Sequence, residues 1–294
     1  MPEQDVNRPP DVSVIVVSWR TRDLTMACLE SVMSASNADG VSTEIILVEN
    51  SSDDGTVEAI AATMPQVVVI ESDTNIGFSA ACNRGAVRAT GRYLLMLNSD
   101  ATLPAGALGA LVDFLDATPA AAVAGCQLVS PDGSPQFSCG RFLTPLNQFA
   151  EVCGLSRIVP WRALRRSYRP DELAGPHPEV DWVVGACLAV DRAAFDETGG
   201  FDERFFMYSE DEDLCCRLRE SGRSVHLLTG TQVRHVGGGS ASLALARMRG
   251  ELRASQTALI RKHDGVFMSA VFWVLMGIAS LKPGGASTDV GWGR

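Results

Sequence analysis

Short apolar runs alternate with amphipathic segments along the first 126 residues of the chain. The apolar runs lie at 12–18, 44–48, 67–70, 93–97 and 121–126. Their length and β-branched composition are typical of buried parallel strands. Between them apolar residues recur at helical spacing; we expect Asp23 to cap the first helix and Pro104 to open the fourth. This alternation predicts an α/β fold with a mostly parallel twisted sheet flanked by helices.

The pattern weakens between residues 127 and 180, where a turn at 130–134 is followed by a cluster of arginines. Its members are Arg157, Arg162, Arg165, Arg166 and Arg169. Two interpretations stay open: a solvated insertion, or a basic rim that meets phosphate groups on a lipid surface. Further strands are predicted at 180–190, 224–228 and 231–235, and helices at 192–197 and 210–219.

The C-terminal part of the chain differs in character from the rest. Residues 243–262 form a predicted basic helix, and residues 266–281 are apolar but shorter than the roughly 20 residues that span a bilayer. One interpretation is an interfacial attachment to a membrane, and the alternative is a helix packed on the domain or on a second subunit. We therefore expect a catalytic domain over 1–240 and a helical extension over 241–294.

Composition narrows the class of protein. The chain has 294 residues, of which 46% are hydrophobic and 20% charged, as in a folded globular protein. A net charge of −10 argues against a nucleic-acid partner. The eight cysteines contain no C-x-x-C pair, so zinc is not predicted from their spacing. The polar N-terminus carries no signal peptide, which favours a cytoplasmic location.

Polar residues directly follow the predicted strands, at the edge where doubly wound sheets bind ligands. They are Ser18, Trp19, Arg20, Glu49, Asn50, residues 72–75, Asn98, Ser99 and Asp100. No G-x-G-x-x-G motif, P-loop or G-x-S-x-G elbow occurs, so a dinucleotide-binding Rossmann site, a P-loop site and a hydrolase nucleophile are disfavoured. The sequence predicts a binding edge of another kind.

Residues 201–218 mix carboxylates with aromatic side chains. The acidic residues include Asp202, Glu203, Glu210, Asp211 and Asp213. Carboxylates at the wall of an apolar pocket can bind cations or take protons. The alternative is an acidic helix start that complements the helix dipole.

Asp100 and His235 are the candidate metal ligands. Asp100 ends a predicted strand, where a carboxylate suits Mg²⁺ or Mn²⁺ that also binds substrate phosphates. His235 ends another strand and precedes three glycines. A lone histidine is weak evidence, but the two together predict a metal–diphosphate site.

The chain resembles the family 2 glycosyltransferases of the GT-A fold, in the bacterial rhamnosyltransferase-like branch. The motifs that carry the resemblance occur in family order over residues 12–240. They are V-I-V-V-S-W at 14–19, V-E-N-S-S-D-D-G-T at 48–56, N-I-G-F-S-A-A-C-N at 75–83, L-N-S-D at 97–100, D-W-V-V-G-A-C at 181–187, G-G-F-D-E-R-F-F at 199–206, E-D-E-D-L at 210–214 and His235.

The resemblance implies roles for individual residues. Asp211 would be the general base, supported by Glu210 and Asp213, and Mg²⁺ or Mn²⁺ would lie at Asp100 and His235. The family's D-x-D motif reads Asn-Ser-Asp here, so one carboxylate remains. The nucleotide-sugar site would comprise Ser18, Trp19, Glu49, Asn50, Asn75, Gly77, Asn83, Asn98 and Ser99. The sugar–acceptor pocket would comprise Trp182, Gly185 and Ala186. We expect Arg217 to pair with Asp213.

The resemblance implies inverting, metal-dependent transfer of a sugar, with dTDP-L-rhamnose as the expected donor and a polyprenyl-linked or envelope glycan as the acceptor. The nucleotide-sugar half would cover about 12–126 and the acceptor half about 127–240. Galactofuranose, hexose or N-acetylhexosamine donors stay open, as do a sugar nucleotidyltransferase and a non-catalytic binding protein. We expect a peripheral protein at the inner face of the cell membrane, and a homodimer is left open.

Overall fold

The computed structural model describes residues 9–158, 161–237 and 245–280. The strands are β1 Val12–Ser18, β2 Thr43–Glu49, β3 Val68–Glu71, β4 Tyr93–Asn98, β5 Ala101–Thr102, β6 Ala121–Val129, β7 Cys139–Gly140, β8 Trp182–Val183, β9 Cys187–Asp191 and β10 Ser224–His235. The helices are α1 Arg22–Asp39, α2 Thr56–Thr63, α3 Phe78–Arg88, α4 Ala107–Ala117, α5 Pro145–Val152, α6 Arg192–Glu197, α7 Glu210–Glu220, α8 Leu245–His263 and α9 Gly265–Ser280. Short 3-10 helices cover Leu155–Arg157, Arg162–Leu164 and Pro170–Leu173.

Eight strands form one sheet in the order β3-β2-β1-β4-β9-β6-β10-β5. The pairs β3–β2, β2–β1, β1–β4 and β6–β10 are parallel, which confirms the predicted α/β fold. Strand β9 lies antiparallel between β4 and β6. A strand from the second half of the chain thus separates two strands of the first half.

Helices cover both faces of the sheet, and the central strands β1 and β4 bury apolar side chains on both sides. Side chains of α1, α2 and α4 belong to the core on one face. Those of α3, α6 and α7 belong to the core on the other. Helix α7 therefore holds the acidic segment directly against the sheet.

Several element boundaries differ from the predictions. Asp23 lies in the first turn of α1, and the N-cap is Thr21, so the predicted capping role of Asp23 is wrong. The strand predicted at 180–190 is interrupted, since β8 and β9 flank a loop at 184–186. The two strands predicted within 224–235 form one strand, β10, with a register shift between Leu228 and Gln232. The turn at 130–134 closes a hairpin, with Val129 bridged to Pro135.

Three arginines of the 157–169 cluster, Arg162, Arg165 and Arg166, form ion pairs. Arg165 is buried and its Nη1 lies 3.3 Å from Oε2 of Glu172, which also pairs with Arg162. Arg166 pairs with buried Glu212 across 2.9 Å. These contacts hold residues 162–172 on the domain, so a freely solvated insertion is not what the structure shows there.

The two C-terminal helices pack on the domain through one shared apolar cluster. Its buried members are Leu143, Phe205, Leu259, Ile260, Phe272 and Met276. Phe205 belongs to the segment that precedes α7, so this cluster links the extension to the acidic stretch. Within the described ranges, none of the helices has the combined length and hydrophobicity that crossing a bilayer requires.

Candidate active site

The Asp211 carboxylate lies in the first turn of α7 and is held by two backbone N–H groups. Gly185 donates to Oδ2 across 2.9 Å, and the amide of Glu212 donates to Oδ1 across 2.8 Å. The side chain is buried, with 7% of the residue exposed. Because Gly185 lies in the loop between β8 and β9, that loop fixes the orientation of the carboxylate.

Burial gives Asp211 the proton affinity of a base that works near neutral pH. It raises the pKa of Asp211 to about 6, against the two backbone hydrogen bonds that lower it. The pKa of Glu210 is raised well above its usual value by burial and then by the charge of Asp211. Oε2 of Glu210 has no hydrogen-bond partner among the described residues. Burial thus raises the proton affinity of both neighbouring carboxyl groups, and the charge of Asp211 adds to the effect on Glu210.

Asp213 is the ionised member of this group, and the C-terminal helix α8 supplies two of its partners. Its carboxylate lies 2.6 Å from Nζ of Lys262, 2.9 Å from Nε2 of His263 and 2.9 Å from Nη2 of Arg217. Burial alone would raise the pKa of Asp213, but these partners lower it to about 2. The predicted pair between Asp213 and Arg217 is confirmed.

The backbone is strained immediately before α7. Tyr208 and Ser209 have φ angles of 70° and 69°, in the left-handed region that non-glycine residues rarely adopt. The carbonyl of Ser209 accepts the amide of Asp213, which joins this turn to the helix. Two adjacent residues of this kind cost about 1–3 kcal/mol each and are typical of functional sites.

Asp100 and His235 meet at the opposite end of the site. Oδ1 of Asp100 lies 3.2 Å from Nε2 of His235, because β5 pairs antiparallel with β10 and aligns Ala101 with His235. Oε1 of Gln136 lies 2.9 Å from Nδ1 of His235 and can accept a hydrogen bond from Nδ1–H, the tautomer in which Nε2 keeps its lone pair toward Asp100.

This pair fits a divalent ion. The separation of 3.2 Å is close to the roughly 3 Å between neighbouring ligand atoms of an octahedral ion with bonds of about 2.1 Å. Gln136 would orient the imidazole, as partners of metal-bound histidines do. Asn98 also reaches this point, with Nδ2 at 3.3 Å from Nε2 of His235.

Asn50, Asn75 and Gly77 form one hydrogen-bonded loop at the ends of β2 and β3. The side-chain amide of Asn50 donates hydrogen bonds from Nδ2 to Oδ1 of Asn75 and to the carbonyl of Gly77. Gly77 has a φ of 85°, and a Cβ there would lie 2.4 Å from the carbonyl oxygen of Phe206. The loop therefore packs against the segment that leads into α7, and only glycine allows this contact.

Other residues predicted at the nucleotide end hold the surrounding turns. Ser18 is buried with its hydroxyl 3.0 Å from that of Thr25, and the hydroxyl of Ser99 lies 3.0 Å from that of Thr21. Glu49 accepts the backbone amides of residues 51 and 52. Trp19 stacks with the guanidinium of Arg20 at 5.2 Å. The side chains of Ser18, Glu49 and Ser99 thus form hydrogen bonds that stabilise the turns at this edge of the sheet.

Asn83 and Trp182 also have structural partners. Asn83 forms two hydrogen bonds with the backbone of Phe201 and so anchors the start of the acidic segment. Trp182 is buried, and its indole N–H donates to the carbonyl of Arg141. In both cases these hydrogen bonds are made to the protein's own backbone.

A short chain of backbone hydrogen bonds connects the two ends of the site. The amide of Asn98, two residues before Asp100, donates to the carbonyl of Ala186 across 3.1 Å. The neighbouring amide of Gly185 holds Asp211. Asp100 and Asp211 are therefore linked through two main-chain segments, 98–100 and 185–186, that are joined by a hydrogen bond.

Four residues of this network were missed from the sequence. They are Gln136, Glu212, Lys262 and His263, each in contact with a residue that was predicted. Glu212 belongs to the acidic run and could have been included on that ground. Gln136, Lys262 and His263 carry no local signal, because their partners are distant in the sequence.

Comparisons with known proteins identify the family of the chain. The sequence profile of glycosyl transferase family 2 matches residues 13–197. An N-acetylglucosaminyl-diphospho-decaprenol L-rhamnosyltransferase of Mycobacterium tuberculosis is 28% identical over 250 residues, which cover 81% of each chain.

Two solved structures share the fold. A mannosyltransferase of Pyrobaculum calidifontis, solved with GDP-Man and Mn²⁺, superposes with a TM-score of 0.59 at 17% identity, covering 94% of this chain and 77% of that one. GalNAc-T7, solved with UDP, GalNAc and Mn²⁺, superposes with a TM-score of 0.60 at 16% identity, covering 87% of this chain and 48% of that one. The GT-A fold expected from the resemblance is confirmed. The chain belongs to glycosyl transferase family 2 and is a glycosyltransferase, with an L-rhamnosyltransferase among its relatives.

Proposed function

We propose that the chain transfers a sugar with inversion from a nucleotide-sugar donor, dTDP-L-rhamnose, to a lipid-linked or cell-envelope glycan. The observation that carries the proposal is the buried Asp211 carboxylate, held by two backbone amides with a pKa of about 6. The sugar and the acceptor are inferred from the mycobacterial relative, an N-acetylglucosaminyl-diphospho-decaprenol L-rhamnosyltransferase, and the dTDP carrier from the family resemblance.

Asp211 acts as the general base in this proposal. The acceptor oxygen forms a bond to the anomeric carbon on the face opposite the diphosphate, and the hydroxyl proton moves to Asp211. The anomeric carbon–oxygen bond breaks, and its electron pair leaves with the nucleoside diphosphate. Gly185 and Glu212 orient the carboxylate through their amides, so its free lone pairs keep one direction.

Asp100 and His235 would hold Mg²⁺ or Mn²⁺, with Gln136 fixing the imidazole. The ion supplies Lewis-acid stabilisation of the negative charge that the leaving diphosphate acquires. Asn98 is placed to hydrogen-bond His235 or a phosphate oxygen of the donor. The loop of Asn50, Asn75 and Gly77 supports the base and ribose end, and the loop at 184–186 supports the sugar and acceptor end.

We further propose that residues 12–126 form the nucleotide-sugar half and residues 127–240 the acceptor half, followed by the extension from residue 241. The extension would attach the protein peripherally to the inner face of the membrane. One face of α9 packs on the domain through Phe272 and Met276, and the other exposes Phe267 and Trp273 at 78% and 54%. An exposed apolar stripe, preceded in the chain by the exposed Arg261 in the last turn of α8, suits an interfacial helix.

The proposal is tested by donor identity and product stereochemistry. The full chain would be screened by thermal shift against nucleotide sugars with Mn²⁺, since a bound donor stabilises the folded state. The best donor would then be supplied with a diphosphopolyprenyl N-acetylhexosamine, and NMR would give the anomeric configuration of the product. We expect stabilisation by dTDP-L-rhamnose and inversion. Stabilisation by another nucleotide sugar alone overturns the donor, and retention overturns the mechanism.

A further inference from the structure

A second cluster of possible metal ligands lies where the middle of α7 meets the end of α8. Cys216 and Glu220 are four residues apart on one face of α7, and His263 is the last residue of α8. One ligand atom from each lies within 4.8 Å of the other two. Residues Asp100 and His235 take no part in this cluster.

The distances within the cluster match a tetrahedral ion. Sγ of Cys216 lies 3.4 Å from Nδ1 of His263 and 3.7 Å from Oε1 of Glu220, and the latter two atoms are 3.7 Å apart. Around tetrahedral zinc, with bonds of about 2.0–2.3 Å, neighbouring ligand atoms are separated by roughly 3.4–3.6 Å. The three side chains therefore need to move only a few tenths of an ångström.

A metal-bound histidine also needs a partner for its other ring nitrogen, and His263 has one. Its other ring nitrogen, Nε2, lies 2.9 Å from Oδ1 of Asp213, a fully buried carboxylate. Metal-bound histidines are usually oriented in this way by a carboxylate that accepts the remaining ring proton. Asp213 stays ionised because Arg217 and Lys262 also contact it.

The ligand types select the metal. A thiolate, an imidazole and a carboxylate suit zinc, whereas Mg²⁺ and Mn²⁺ prefer oxygen ligands. We propose that Cys216, Glu220 and His263 bind one Zn²⁺ per chain, with water in the fourth position. The cysteine spacing did not predict this site, since its third ligand lies 47 residues from Cys216.

The consequence of the site is a clamp between the helix of Asp211 and the C-terminal extension. Glu220 is 66% exposed and Cys216 partly exposed, so an ion can enter from solvent. Binding requires loss of the Cys216 proton and of the proton on Nδ1 of His263. This inference does not depend on the donor, the acceptor or the stereochemistry proposed above.

The test is cobalt and zinc binding by the full-length protein. Metal-free protein would be titrated with Co²⁺, and a thiolate-to-cobalt charge-transfer band would be recorded in the near ultraviolet. After dialysis against limiting Zn²⁺, bound zinc would be measured by mass spectrometry. We expect one equivalent of zinc, the cobalt band and an increase in Tm. The background variant Asp100→Asn should retain all three, which separates this site from the active site.

Matched variants decide the assignment. Cys216→Ser should abolish the cobalt band and the zinc equivalent, while Cys153→Ser, at another partly exposed cysteine, should keep both. Glu220→Gln changes an exposed side chain and is the alternative if Cys216→Ser does not fold. This variant should lower the affinity for zinc at least tenfold. Absence of the cobalt band in the wild type, or zinc binding that Cys216→Ser and Glu220→Gln leave unchanged, overturns the proposal.

Discussion

The backbone amide of Gly185 donates a hydrogen bond of 2.9 Å to Oδ2 of Asp211. Gly185 belongs to the loop between β8 and β9. A loop between two strands therefore sets the direction of a carboxylate on α7. A Cβ on Gly185 would lie 3.5 Å from Oδ2, which is an ordinary van der Waals distance, so a small side chain fits here. The arrangement depends on main-chain geometry and on burial, and both can be tested by substitution.

Replacing the base should separate activity from stability. We expect Asp211→Asn to lower kcat by about 10²–10⁴-fold, since a general base of this kind contributes that much. The same change removes a buried charge whose ionisation opposes folding above pH 6, but it also leaves one of the two backbone amides without an acceptor, so the free energy of unfolding should change by less than about 3 kcal/mol. Initial rates and urea unfolding would measure the two effects.

The control for this variant lies in the same segment. Glu203 is exposed and accepts a hydrogen bond from Asn83, so Glu203→Gln should keep transfer within a few-fold of wild type. Full activity of Asp211→Asn would show that another group takes the proton.

The rate of transfer should depend on pH through Asp211. The base works only when ionised, so kcat/KM should fall about tenfold per unit below pH 6 and level off above it. The stability contribution of Asp211 has the opposite dependence. A raised folded-state pKa stabilises the protein below pH 4, and this contribution is lost as the pH rises through about 6. An ascending limb centred near pH 4 would contradict the assignment.

Gln136 should control the metal requirement without touching the substrate. Its side chain contacts Nδ1 of His235, and its amide donates to the carbonyl of His235. We expect Gln136→Met to raise the Mn²⁺ concentration needed for half-maximal activity by about 10–100-fold, with kcat at saturating Mn²⁺ less affected. Mn²⁺ titrations of the initial rate would measure this split. An unchanged requirement, or activity that EDTA leaves intact, would remove the metal from Asp100 and His235.

Lys262 should stabilise the fold through Asp213. Loss of a hydrogen bond to a buried charge costs about 1.5–3 kcal/mol, so Lys262→Met should lower the free energy of unfolding by that amount at pH 7. The pKa of Asp213 is lowered to about 2, so this contribution is present above pH 4 and is lost as the pH falls toward 2. Arg204→Met, at an exposed partner of Asp202, should cost less than about 1 kcal/mol.

The exposed face of α9 should govern attachment to membranes. Trp273→Ser and Phe267→Ser should each reduce sedimentation with anionic vesicles several-fold while leaving Tm within a few degrees, since both side chains face solvent. Arg261→Gln should act in the same direction through the loss of one charge. Equal sedimentation of all variants and wild type would leave the exposed face without a lipid role.

The sequence was sufficient for the elements whose pattern is local. Strand β1 and helix α6 have the predicted bounds, because an apolar run and an Asp191 cap specify them. The position of β9 between β4 and β6 was not predicted, since strand order depends on pairing between distant segments. The same limit hid Lys262 and His263, whose contacts with Asp213 join residues about fifty positions apart.

Strand β9 has a consequence for how the enzyme meets its substrates. It carries the loop of Gly185 and Ala186 past the end of β4, so Asn98 is bonded to Ala186 while Asp211 is bonded to Gly185. Under the proposed roles of Asp100 and Asp211, the separation between the leaving-group end and the base end is thus set when the chain folds. The proposed mechanism then needs little reorganisation energy at the moment of transfer, because the polar groups are already oriented. We therefore expect an acceptor to conform to this spacing, and the sheet to contribute to acceptor selectivity.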